Sequence, residues 1–178
     1  MSNPNIVLRD LPLLPYINDD GELPDALDKV GIYAIFDADK TLQFVGYSRS
    51  ISLSLKQHLI RCPQACHWLK AHTVERPNRS VLEGLQADWL AENGAVPPGN
   101  GEAAEVWTQP VDAKPHMTTE EQAAYTNAVS ELEQTKALKR AARRIEEGIS
   151  AQLQARGLQD PIRFDPKLKE QGLLGVKP

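Results

Sequence analysis

Two short runs of β-branched and aromatic residues, Gly31 to Phe36 and Thr41 to Gly46, stand on either side of the turn-forming Asp37-Ala38-Asp39-Lys40. Short apolar runs joined by turn formers predict an antiparallel hairpin. The period then changes. Ile51, Leu55 and Leu59 recur every four residues behind Ser48 and Ser50, which predicts a capped helix running to about Leu59. Trp68 to Val74 reads as a third strand, and Pro77-Asn78 marks a loop. Ser80 opens a second helix with Leu82, Leu85 and Trp89 on its apolar stripe, ended by Asn93-Gly94. The prolines and glycines of 96–101 exclude helix and central strand, and a short strand is expected around Val106-Trp107.

From Thr118 to about Arg156 the pattern is helical. Thr118-x-x-Glu121 has the form of a capping box, and Tyr125, Val129, Leu132, Leu138, Ile145, Ile149 and Leu153 keep helical spacing, with Gly148 as the expected place for a bend or split. The fold class expected is α/β (α+β): a small three-stranded antiparallel or mixed sheet flanked by helices, with a long C-terminal helical extension. Its divisions are an irregular leader over 1–29, a compact domain over 30–110, the extension over 118–156 and a surface tail over 157–178.

The chain has 178 residues, of which 41% are hydrophobic, enough for one good core. No stretch approaches the roughly 20 apolar residues that span a bilayer, and the N-terminal residues lack the order of a secretory signal. With two cysteines, the expectation is a soluble protein of the cytoplasm, with no membrane partner. A net charge of −4 argues against tight constitutive binding to nucleic acid. Distribution qualifies that. Arg49, Lys56, Arg61, Lys70, Arg76 and Arg79 face only Glu75 between residues 49 and 79, a local excess of +5 that suits weak, salt-sensitive DNA contact.

The triplets Gly31-Ile32-Tyr33 and Phe44-Val45-Gly46 resemble the two halves of the motif that names the GIY-YIG nuclease family, with Phe44 where the family has tyrosine. The resemblance spans about residues 30–100. It implies metal-assisted phosphodiester hydrolysis by a DNA endonuclease with one Mg2+ or Mn2+. Leu42-Gln43-Phe44-Val45-Gly46, Ser48-Arg49 and Val96-Pro97-Pro98-Gly99-Asn100 are also similar to the N-terminal GIY-YIG domain of plant chloroplast monothiol glutaredoxins and cyanobacterial-type relatives, which implies a stroma-like plastid compartment as the alternative to the cytoplasm.

Carried over residue by residue, Tyr33 matches the first family tyrosine and would help to activate water. A phenol with an ordinary pKa of about 10 needs nearby cations for that task. Phe44 removes the second hydroxyl, for which Tyr47 is the available replacement. The family's arginine position falls on Ser54, so Arg49 is the substitute, with Lys56 and His58 as further cations. Glu83 matches the metal carboxylate, yet Ser80-x-x-Glu83 also has the form of a capping box, and both roles stay open. Asn100 matches the closing asparagine.

Cys62 and Cys66 stand with His67 and His72, but the spacing fits no ordinary zinc module. Two reduced thiols, a reversible disulfide and a reactive thiol are the readings left, and the glutaredoxin resemblance implies a redox role for Cys66. On the long helix Lys136, Lys139, Arg140, Arg143 and Arg144 form a basic cluster flanked by Glu131, Glu133, Glu146 and Glu147, read as a solvated face with i, i+4 ion pairs. Two functions follow as expectations. One is a weak metal-dependent endonuclease; the other is a catalytically silent DNA- or protein-binding regulatory domain, redox-sensitive through Cys66. The long apolar helix face offers a route to a protein partner, and nothing in the residues sets an oligomeric state.

Overall fold

The computed structural model describes residues 5–178. Its contacts divide the chain into two compact units, Met1–Thr108 and Gln109–Pro178. In the first unit β1 (Leu14–Pro15), β2 (Gly31–Phe36), β3 (Leu42–Ser48) and β4 (Trp68–Thr73) form an antiparallel sheet in the order β1-β4-β2-β3. The hairpin and third strand lie where the residue pattern puts them. A fourth, two-residue strand comes from the leader, which pairs Leu14 with Leu69 and sends the buried Tyr16 hydroxyl to the Leu55 carbonyl.

Register determines which side chains meet. Tyr33 pairs with Gly46 and Ile35 with Phe44, while Ile32 pairs with Tyr47 and Ala34 with Val45. Strand side chains alternate between faces, so Tyr33 and Phe44 share one face and Tyr47 belongs to the other. Helix α1 (Ile51–Arg61) covers the first face, capped by Ser50, whose hydroxyl accepts from the Leu53 amide. Helix α2 (Arg79–Asn93) covers the second, where Leu85 and Trp89 pack with Leu8, Ile32, Ala34, Leu42 and Val45. Trp89 also donates from its indole to the Ile6 carbonyl at 2.9 Å, which ties the leader down.

Three expectations need correction in these units. Asn78, not Ser80, caps α2: its side chain accepts from the Ser80 amide. Residues Ala104–Thr108 form a short helix, α3, rather than a strand, because a helical turn buries Trp107 while leaving Val106 exposed. The long helix is two helices, α4 (Thr119–Thr126) and α5 (Glu131–Ala155). The break falls at 127–130, where Ser130 caps α5 by accepting from the Glu133 amide and Glu133 accepts from the Val129 amide. At Gly148, α5 runs on without interruption.

The second unit also builds in its tail. Strand β5 (Val111–Asp112) pairs antiparallel with β6 (Leu173–Leu174), and Phe164 bridges to Val176 beyond α6 (Pro166–Lys169). Leu158, Phe164, Leu174 and Val176 are buried, so the segment 157–178 contributes side chains to the core of this unit. Helix α5 buries Ala137, Leu138, Ala141, Ala142 and Leu153 against α4, α6 and β6. Val129 and Leu132, expected on that stripe, are exposed.

Truncation of the fully buried Trp89 to Ala should cost about 3–5 kcal/mol, measured by urea unfolding, whereas Val129→Ser at an 89% exposed site should change stability by less than about 0.5 kcal/mol.

Candidate functional site

The sequence-expected residues fall into two groups on opposite faces of one sheet. On the α1 face the Tyr33 hydroxyl lies 2.8 Å from His58 Nε2, and both residues are buried. Phe44 sits with its ring centroid 4.5 Å from that of His58 and stacks on Trp107 at 5.4 Å with 2° between the planes. Tyr33, Phe44, His58 and Trp107 therefore form a closed aromatic layer, with α3 as its lid. Gly46 is required beneath it, since a Cβ there would lie 2.5 Å from Phe44 and 2.9 Å from the Tyr33 hydroxyl. A Cβ on Gly99 would lie 2.9 Å from both Phe44 and Trp107.

Asn100 holds this layer shut from the strand side. Its Oδ1 accepts from the Val45 amide and its Nδ2 donates to the Val45 carbonyl, each at 2.8 Å. An amide side chain thus supplies both bonds of a missing strand at the sheet's outer edge, and Gln86 adds a third bond to the Val45 carbonyl.

Burial sets the electrostatics here. Desolvation lifts the Tyr33 phenol well above its ordinary value; a hydrogen bond with Ser54 and the charge of Arg61 oppose the shift without cancelling it. Burial, reinforced by the like charge of Arg61, pushes the His58 imidazole down to about 3. His58 is accordingly a neutral acceptor for the phenol at physiological pH and does not supply a cation. Ser54 donates to Ser48 Oγ at 2.7 Å. Lys56 is paired with Asp25 at 3.4 Å.

The second group is open to solvent. Tyr47, Ser48, Arg49, Arg79, Pro77 and Leu82 line a cavity of about 610 Å³ where β3 ends and α2 begins. Arg79 Nε donates to Glu83 Oε1 at 2.7 Å, and the Tyr47 hydroxyl donates to the same oxygen at 3.3 Å. The hydrogen bond from Arg79 holds the Glu83 carboxyl below the usual range. Glu83 is therefore not the partner of the Ser80 amide. Arg49 is exposed at the rim.

A divalent cation would find one exposed carboxylate whose Oε1 already carries a guanidinium and a phenol. Among the described residues no three His, Cys, Asp or Glu side chains gather as a metal-binding group. Magnesium keeps several waters but seeks anionic oxygens, and a lone carboxylate neutralised by arginine does not fit it. Cys66 is buried and Cys62 half-buried, with no disulfide between them. Burial raises the Cys62 thiol to about 11, against the opposing charge of Arg61.

Arg79, expected only as part of the basic stretch, and Trp107, expected only in a short strand, are site residues that the sequence did not single out. Arg79-x-x-x-Glu83 was visible as an i, i+4 pair. Trp107 carried no signal, because its role is to cover Phe44 and His58, 63 and 49 positions away.

The first unit is thus an antiparallel sheet with a sealed aromatic face and an open, arginine-lined corner. A stretch of 97 residues, 52% of the chain, is 39% identical to the bifunctional monothiol glutaredoxin-S16, chloroplastic, of Arabidopsis thaliana. That stretch covers 32% of the relative, so the chain spans about a third of the length of the curated relative it matches. No protein-family model matches the chain. Among the described residues, no helix is long and apolar enough to cross a membrane.

Loss of the phenol in Tyr33→Phe should cost about 1–3 kcal/mol by leaving buried His58 unpaired. His58 itself should make stability depend on pH. Its folded value of about 3 lies below the unfolded 6.5, so unfolded chains bind a proton that folded ones refuse. The contribution is full above pH 6.5 and falls as pH drops toward 3, by about 1.4 kcal/mol per pH unit. Denaturant unfolding across that range checks it, and His58→Phe should flatten the slope.

Proposed function

We propose that the first unit is a GIY-YIG-type domain that grips the phosphodiester backbone of DNA at the Tyr47, Arg49 and Arg79 corner and does not hydrolyse it. The observation that carries this reading is the division of the candidate residues between the two sheet faces. Tyr33 and His58 lie sealed under Trp107, while Arg49 and Arg79 line an accessible cavity. The family resemblance is supported by Gly31-Ile32-Tyr33 and Phe44-Val45-Gly46 on adjacent antiparallel strands, followed in order by Arg49, Glu83 and Asn100.

Binding follows from the chemistry of the corner. A guanidinium presents a planar fork that matches two phosphate oxygens. Glu83 braces Arg79, and Tyr47 offers a ring on which an unpaired base can stack. Two cations in a protein of net charge −4 give weak and salt-sensitive attachment.

Hydrolysis lacks its parts. The second hydroxyl is replaced by Phe44, the family's arginine position holds Ser54, and Glu83 sits on the other face from Tyr33. A redox function rests on the relative's name, monothiol glutaredoxin. Here the Cys62 thiol is held protonated and Cys66 is buried, so neither sulfur is set up as a thiolate nucleophile.

Fluorescence anisotropy with labelled DNA should show binding that weakens in Arg49→Ala/Arg79→Ala, with the salt slope reduced by about 1 per cation removed. Plasmid DNA with magnesium should stay intact. Nicking that disappears in Glu83→Gln would overturn the silent reading and make this corner a nuclease site.

A further inference from the structure

We infer that the basic face of α5 is a second nucleic-acid surface, one that clamps the phosphate backbone of duplex DNA. It belongs to the second unit alone and does not rest on the Tyr47 corner.

Lys136, Lys139, Arg140 and Arg143 follow at i, i+3, i+4 and i+7, which places them on one side of the helix over about 10 Å. With Arg144 and Glu147 they wall an open concavity of about 540 Å³. The expected neutralisation by i, i+4 ion pairs is not formed. Glu133 is spent on the Val129 amide, Glu146 pairs with Lys169 at 2.6 Å, and Arg144 pairs with Glu121. Lys139 reaches Glu170 at 3.5 Å. Among the described residues, Lys136, Arg140 and Arg143 have no carboxylate within 4.0 Å and all three are exposed.

The arrangement works against the helix that carries it. Lys136 with Arg140, Lys139 with Arg143, and Arg140 with Arg144 are like charges four residues apart, a spacing that destabilises a helix. A solvated face optimised for stability would alternate its signs. Charge also differs between the units: the second has eleven Lys and Arg against ten Asp and Glu, the first nine against fourteen.

The lining selects the partner. All six side chains around the concavity are charged and five of them are cations, which favours a densely anionic partner. Duplex DNA carries one charge per about 1.7 Å of axis, dense enough to engage all three free cations at once, and the two arginines can fork onto phosphate oxygens.

The test uses the full chain and a labelled duplex of about 20 base pairs, titrated across salt concentrations by anisotropy. Lys136→Glu/Arg140→Glu/Arg143→Glu should weaken binding at least tenfold and lower the salt slope by about 2 to 3. Lys136→Arg/Arg140→Lys/Arg143→Lys should keep the slope, which separates charge from folding. An unchanged affinity and slope in the charge-reversed chain would overturn the inference. So would competition by polyglutamate as effective as by unlabelled duplex, which would point to an acidic protein instead. Arg49→Ala/Arg79→Ala tested beside them distinguishes the two surfaces: loss of binding only there would sink the α5 surface, and loss only in α5 would sink the Tyr47 corner.

Discussion

The hydrogen bond between the Tyr33 hydroxyl and His58 Nε2 is the constraint on which the first unit depends. Each group is costly to bury alone, and each is the other's partner inside an apolar layer. To hold them 2.8 Å apart the chain brings β2 and α1 together beside Gly46, which has no Cβ to collide with the Tyr33 and Phe44 rings. Phe44 and Trp107 then stack over the pair, and Asn100 anchors the 98–100 turn to β3 so that Gly99 can pass close to both aromatics. The glycines and the asparagine are consequences of keeping this pair dry.

Sealing one face leaves chemistry to the other. A phenol raised by burial and an imidazole lowered by it cannot trade protons with a substrate near neutral pH. Arg49, Arg79, Tyr47 and Glu83 stay at an open corner where solvent reaches their charges. Helix α5 follows the same logic in the second unit. Its small residues Ala137, Ala141 and Ala142 face inward and its long cations face out.

Local chemistry was legible and long-range chemistry was not. The hairpin, α1 and the third strand follow from turn residues, period and caps, each of which acts within a few positions. The interruption at 127–130 was also written locally, as Ser130-x-x-Glu133, but the apolar spacing through Val129 and Leu132 masked it. The two-faced site depends on register: Tyr33 and Tyr47 are 14 positions apart, and pairing opposite Gly46 and Ile32 puts them on different faces. Nor does Trp107 show its role in its own neighbourhood, since Phe44 and His58 are brought to it by the fold. Glu83 had two local explanations, and the choice fell to a third, the pair with Arg79.

The most direct measurement of this account is the titration of the His58 ring by nuclear magnetic resonance, from pH 8 down through pH 4, in the native chain. A sealed pair keeps the imidazole neutral over that whole range, with its Nε2 signal unmoved by added DNA. Protonation near the ordinary 6.5, or a shift of the Tyr33 and His58 signals on adding DNA, would show that this face is open and would contradict the sealed pair.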